Sequence, residues 1–289
     1  MSDKGAPGMT LRFSASLRVA VLSAIALLGF QQVSSGQTPP PMGGGYTNVT
    51  SIPVNDPAIK AIGGALFKPA GAGPFPAVVY MTVCGGIDGP LPRAVQKTTT
   101  DHLLAKGVAI LIVDSFTPRN EPSGVCANLG PLDEEKAIQY AKRGSNDALA
   151  AVAVLKAMPD IDTKHIFLMG FSLGGTSSLL ATDTKNSAVH EAKIAGVIAY
   201  YPFCYDGVDP SVPVLVLIGE KDDWTPAAKC QAVTGKANFE VVVYPGAYHV
   251  FNQPSEKPRD FLGHHLVYDE KATQDAQQRA DAFLAAQAK

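Results

Sequence analysis

HIFLMGFSLGGTSSLLAT, from His165 to Thr182, is the stretch whose reading decides the fold. It opens on a short apolar run, Ile166–Met169, of the length and composition of a buried strand. It closes on TSSLLAT, which has a helical pattern. Between them stands Gly170-Phe171-Ser172-Leu173-Gly174-Gly175, a G-x-S-x-G turn from strand to helix. Such a turn is tight enough to lift the Ser172 hydroxyl above the sheet edge. The glycines are needed because a Cβ on either side of the serine would clash. The helix that follows aims its free N–H groups at the same point, where they stabilise negative charge.

Working outward, six further short apolar runs recur: Ala61–Phe67, Ala77–Val83, Val108–Val113, Ile194–Tyr200, Val214–Ile218 and Phe239–Tyr244. Several are apolar throughout, as strands buried on both faces of a parallel sheet are. Helical patterns separate them at Arg93–Lys106, Asp133–Met158 and Glu270–Lys289. The second has an acidic start, Asp133, Glu134 and Glu135, which suits a helix N-terminus. An early strand pair followed by alternating strands and helices predicts an α/β fold. Its central sheet is mostly parallel, with helices on both faces.

A serine hydroxyl needs a base to become a nucleophile. His249, in YPGAYHVF just after the Phe239–Tyr244 strand, is placed to return to the same sheet edge. His102 lies in a helical pattern, His165 opens a strand at the far end of the sheet, and His190 sits in a polar connection. His264 and His265, paired in the late loop, are the rivals. A carboxylate after the penultimate strand should orient the base. Asp222 and Asp223 in IGEKDDWTP both qualify; the Gly-x-x-Asp spacing favours Asp222 and leaves Asp223 as a cap for the next helix. The order Ser172, Asp222, His249 is that of the α/β-hydrolase triad. An oxyanion hole needs two backbone N–H groups. One is expected from Leu173 and the other from the turn after Ala77–Val83, where Cys84 is best placed.

With these residues in view, the chain resembles the dienelactone hydrolase family of α/β-hydrolases. The resemblance runs from about Gly63 to the C-terminus and is carried by GGALFKPAGAGPFPAVV, VDSFTPR, GFSLGG, IGEKDDWTP and YPGAYHVF. It implies hydrolysis of a small-molecule carboxylic ester or lactone by water through an acyl-enzyme, without metal or cofactor. Two departures stand out. Position 172 is serine where the name-giving enzymes use cysteine, which favours a broader esterase. Thr82-Val83 replaces the His-Gly pair common after the third strand. Arg119, after the fourth strand, is a candidate for a substrate carboxylate, as well as for a structural ion pair. Trp224, Tyr248, Tyr201 and Phe251 are aromatic candidates for the pocket. The connection Pro202–Val212 is too short for a large cap domain. The same triad serves thioesterases, peptidases and perhydrolases; a non-catalytic binding protein on this fold is expected to lack a triad member.

The remaining sequence bounds the setting. Lys4, Arg12 and Arg18 precede the apolar run Val19–Phe30, about 12 residues long against the roughly 20 a spanning helix needs. That pattern, with small residues at Ser34 and Gly36, reads as an export signal over 1–36. It implies a periplasmic or secreted protein with no stable membrane anchor. QTPPPMGGG, 37–45, reads as a linker, and 46–289 as one domain. Cys84, Cys126, Cys204 and Cys230 all fall in that domain. An even number in an exported chain favours disulfides, and of three connectivities Cys204–Cys230 with Cys84–Cys126 is preferred. No spacing matches a zinc site. A net charge of −2 argues against a nucleic-acid partner, and 46% hydrophobic content suffices for a sizeable core. Nothing in the sequence specifies an oligomeric state.

Overall fold

The strand that ends in the G-x-S-x-G turn is the middle of the sheet. In the computed structural model, which describes residues 42–129, 133–186, 189–233 and 236–287, it runs over Ile161–Phe171. It is longer than Ile166–Met169, because hydrogen bonding to a neighbour continues where the side chains turn polar. The export segment and residues 37–41 of the linker lie outside the described residues. Residues 42–45 are held on the domain: Gly43 N–H donates to Asp114 Oδ2 at 2.8 Å and Gly44 N–H to Asp88 Oδ1.

The strands in chain order are β1 (Val49–Pro53), β2 (Ala61–Phe67), β3 (Phe75–Met81), β4 (Ala109–Asp114), β5 (Ile161–Phe171), β6 (Gly196–Tyr200), β7 (Val214–Gly219) and β8 (Phe239–Tyr244). They form one sheet in the order β1-β2-β4-β3-β5-β6-β7-β8. Pairing is parallel from β4 to β8 and antiparallel at β1–β2 and β2–β4. Six of the seven apolar runs are therefore interior strands and the seventh, β8, is an edge strand; β4, β6 and β7 are buried at every residue. β1, absent from the seven runs read in the sequence, is half-exposed and lies at the edge. A two-stranded hairpin, β9 (Arg259–Phe261) and β10 (His264–Leu266), is also absent from them.

Helices α1 (Pro90–Ala105), α2 (Cys126–Leu129), α3 (Glu134–Lys156), α4 (Leu173–Leu180), α5 (Val189–Ala192), α6 (Ala227–Gln231) and α7 (Glu270–Gln287) connect the strands. In α3, Asp133 is the N-cap and its carboxylate accepts the Lys136 N–H at 3.0 Å. The face Ala141, Ala148, Ala151, Val152 and Leu155 is buried, at helical spacing. In α7 the buried stripe is Ala272, Ala276, Ala280 and Leu284. The segment between β6 and β7 is a short loop with no inserted domain.

The topology fixes where a site can form. From β3 the chain moves to β4 on one side, then crosses to β5 on the other and continues outward. The order therefore reverses between β3 and β5. Crevices open outside the carboxyl ends of strands at such a switch point. Cys84 follows β3 and Ser172 follows β5 there.

Candidate active site

Ser172 sits between strand and helix with φ 53° and ψ −119°, a backbone conformation that costs energy for any residue with a Cβ. The surroundings enforce it. A Cβ at Gly170 would run into the Gly174 carbonyl, and one at Gly174 into the Met81 carbonyl. The turn is thus packed between its own helix and the end of β3, and Ser172 N–H is tied to the Tyr200 carbonyl at 2.9 Å.

His249, in the loop after β8, is 1% exposed. Its Nε2 lies 3.0 Å from Ser172 Oγ and its Nδ1 lies 2.7 Å from Asp222 Oδ2. The loop is held by a bridge from His249 to Leu266 in β10 and by the edge-on ring of Tyr201, 4.8 Å away. Burial pushes the Tyr201 phenol well above its ordinary pKa, so it stays neutral and donates to Asn252 Oδ1 at 2.6 Å. Val250, the next residue, has φ 53°, strained for a β-branched side chain.

Asp222 accepts four hydrogen bonds. Oδ1 takes the N–H groups of Trp224 (3.0 Å) and Thr225 (2.7 Å); Oδ2 takes Thr225 Oγ1 (2.9 Å) and faces His249. A buried carboxylate so surrounded is held in one orientation. Asp223 does not cap the following helix, as the sequence reading had it. Its carboxylate turns outward, accepts His265 N–H at 3.3 Å and pairs with His264 at 3.4 Å. That helix, α6, has Pro226 at its N-cap and no side-chain cap, while the Asp222 carboxylate points back over its own turn to meet the Trp224 and Thr225 amides. His264 and His265 do not contact Ser172. Thr225 is a member of the cluster that the sequence reading missed, although it stands inside IGEKDDWTP.

Cys84 and Leu173 line the same cavity wall as Ser172. Among the described residues neither backbone N–H donates a hydrogen bond, so both are free to bind a ligand oxygen. Cys84 is disulfide-bonded to Cys126 and Cys204 to Cys230, the favoured connectivity. The Cys84 carbonyl also accepts Val125 N–H at 2.7 Å.

Two cavities meet at Ser172. The larger, about 340 Å³, is walled by Val83, the Cys84–Cys126 disulfide, Trp224, His249 and Phe261. The smaller, about 40 Å³, is walled by Leu129, Ala137, Leu173 and Phe203. Trp224 stands between them, stacked on His264 at 4.5 Å and 5.2 Å from His249.

Four other sequence candidates lie outside both cavity walls: Tyr201 and Phe251 are fully buried in the core, and Arg119 and Tyr248 have other partners. Arg119 is a buried structural residue: it forms a bidentate pair with Asp147 at 2.9 Å, and its Nε reaches Asp56 at 2.9 Å. Burial works against its charge, but the two carboxylates outweigh this and raise its pKa. Tyr248 faces away from both cavities, against His265 (4.9 Å) and Lys221 (5.7 Å). Its alternation with His249 along the loop turns it outward. Arg259, in the hairpin, is instead the arginine of the larger cavity. It donates to Gln253 Oε1 at 2.8 Å, and among the described residues no carboxylate pairs with it. Burial pulls its pKa below the ordinary value. No apolar run marks it in the sequence, since Arg259-Asp260-Phe261 and His264-His265-Leu266 are mostly polar. Among the described residues no three His, Cys, Asp or Glu side chains group as a metal site.

Comparison with known proteins agrees with this arrangement at the level of the fold. A model of the dienelactone hydrolase family matches residues 62–288. A Bradyrhizobium sp. protein named "Probable 2-oxo-3-(5-oxofuran-2-ylidene)propanoate lactonase" is 26% identical over 206 residues, covering 65% of this chain and 78% of that protein. A dienelactone hydrolase structure from Anabaena variabilis superposes with TM-score 0.55 at 20% identity, over 82% of this chain and 96% of the other. The propionate-bound esterase Est2 of Thermogutta terrifontis gives 0.56 at 17%, over 82% and 93%.

Proposed function

This chain belongs to the dienelactone hydrolase family, a carboxylic ester hydrolase by that membership, and from this premise we propose an exported serine hydrolase that cleaves esters or lactones through an acyl-enzyme. His249 Nε2 takes the Ser172 proton as Oγ attacks the carbonyl carbon. The N–H groups of Leu173 and Cys84 hold the oxyanion. His249 then returns the proton to the leaving alkoxide oxygen as the ester C–O bond breaks. Water, deprotonated by His249, attacks the acyl-enzyme and releases the acid, and Ser172 regains its proton. Asp222 orients His249 and offsets its transient positive charge.

The observation that carries this reading is the unbroken chain Asp222 Oδ2, His249 Nδ1, His249 Nε2, Ser172 Oγ, with links of 2.7 and 3.0 Å. Export is supported by the 1–36 sequence pattern and by two disulfides, which persist in oxidising compartments. The test is Ser172→Ala. Hydrolysis of p-nitrophenyl acetate is expected to fall by about 10⁴-fold or more, and fluorophosphonate labelling to vanish, with the circular dichroism spectrum unchanged. Undiminished turnover in that variant overturns the reading.

Arg259 favours a narrower second reading, a substrate that carries a carboxylate, in keeping with the propanoate in the Bradyrhizobium protein's name. Arg259→Gln should then raise KM for a carboxylate-bearing ester about tenfold while leaving its neutral analogue unaffected. An equal effect on both excludes this second reading.

A further inference from the structure

We propose that the two cavities divide the ester between them: the narrow one takes the acyl chain and limits it to about four carbons, and the larger one takes the alcohol side. This rests on the serine hydrolase reading and deepens it.

The argument is one of reach. Ser172, Cys84 and Trp224 wall both cavities, so a carbonyl attacked by Ser172 lies at their junction. The leaving oxygen must come within hydrogen-bond distance of His249 Nε2 to receive its proton. His249 walls only the larger cavity, together with Val250 on its loop. The alcohol side therefore departs into that space. Leu173, whose amide helps hold the oxyanion, walls only the narrow cavity. The remaining substituent of the carbonyl carbon, the acyl chain, has the narrow cavity left to it.

Size sets the limit. The narrow cavity offers about 40 Å³, where roughly 10–15 Å³ suffices for one water, so it holds about three non-hydrogen atoms. That space accepts about three carbons beyond the carbonyl, and a longer chain only by displacing its walls. Leu129, Leu173 and Phe203 are buried, and Phe203 is pinned through its N–H and carbonyl to Thr176 Oγ1 at 2.9 and 3.2 Å. Asp133 and Glu134 at the rim disfavour an anionic acyl group. The larger cavity, about 340 Å³ with Phe261 and Leu266 in its wall, has room for an aromatic alcohol.

Two ester series test this. With the alcohol fixed, kcat/KM for p-nitrophenyl acetate, butyrate and hexanoate should fall about tenfold or more from first to last, the scale on which a filled pocket rejects extra methylenes. With the acyl group fixed, benzyl acetate should be hydrolysed at least as well as ethyl acetate. Phe203→Ala, and the milder Phe203→Leu should the first not fold, should raise hexanoate relative to acetate about tenfold and leave the benzyl-to-ethyl ratio alone. Phe261→Ala should do the reverse, lowering the benzyl-to-ethyl ratio only. Hexanoate turned over as well as acetate by the wild-type protein overturns the proposal, as does a Phe203 variant that shifts alcohol preference instead. Either result with Ser172 still labelled by a fluorophosphonate leaves the hydrolase reading standing. No ester turned over and no labelling overturns both.

Discussion

Cys84 and Cys126 are joined by a disulfide that also forms part of the wall of the cavity Ser172 lines, while among the described residues the Cys84 N–H donates no hydrogen bond. The bond closes a loop of 42 residues' separation, so on a chain-entropy model its loss costs about 4 kcal/mol. It also frees the turn that presents the Cys84 amide. Cys126→Ser should therefore lower kcat about tenfold or more, with KM changed little, measured at a temperature where the variant is folded. Cys230→Ser breaks a bond that walls neither cavity and should lower the melting temperature with kcat intact. Equal kinetic effects from the two variants would show that the first disulfide has no special link to the oxyanion site.

Adjacent acids have different work. Asp222→Asn should cost about 10⁴-fold in kcat, because an amide cannot keep His249 in the needed tautomer or offset its charge. Asp223→Asn touches only His264 and His265, outside the Asp222–His249–Ser172 chain, and should change kcat by no more than about threefold. Steady-state kinetics on the pair decides; comparable losses contradict the geometry.

Thr225 is in the wall of the narrow cavity but bonds to Asp222 and His249 rather than to Ser172, and serves as a positioning residue. Its hydroxyl lies 2.9 Å from Asp222 Oδ2 and 3.1 Å from His249 Nδ1. Thr225→Val keeps the backbone bond to Asp222 and removes only the hydroxyl. A hydrogen bond to a charged group contributes about 1.5–3 kcal/mol, so kcat should fall roughly tenfold or more, with a displaced pH profile. Thr225→Ser should restore both. A loss of stability with an unchanged pH profile would mark Thr225 as merely structural.

Arg119 separates stability from binding. Arg119→Ala leaves Asp147 buried and unpaired, and should cost about 3 kcal/mol in urea unfolding with KM unaltered. Asp56, bonded by the Ala58 N–H and by Arg119, titrates below the ordinary carboxylate value. Its contribution is complete above about pH 4 and is lost as pH falls through its lower folded pKa. Arg119→Ala should consequently flatten the acid side of the stability curve.

How much of this was legible in the sequence depended on distance along the chain. The Gly170-Phe171-Ser172-Leu173-Gly174 turn is local: two glycines and a serine between an apolar strand and a helix admit one geometry. The buried strands were equally legible, because their apolar runs record burial on both faces. Edge strand β1 and the β9–β10 hairpin are short and half-polar, and left no such record.

The sequence by itself determined the α/β architecture, the serine turn, and the order in which acid and histidine follow it, since each rests on neighbours within a few residues. Tertiary structure alone decided which of two adjacent aspartates meets His249, since that turns on which carboxylate points back over its own loop. It also exchanged the arginines. Arg119 was read at the right sheet edge, but Asp147, 28 residues on in α3, reaches it first; Arg259, from a hairpin far along the chain, takes the cavity. Charges choose partners by proximity in space, and a buried arginine pairs with whichever carboxylate the fold brings within 3 Å of it.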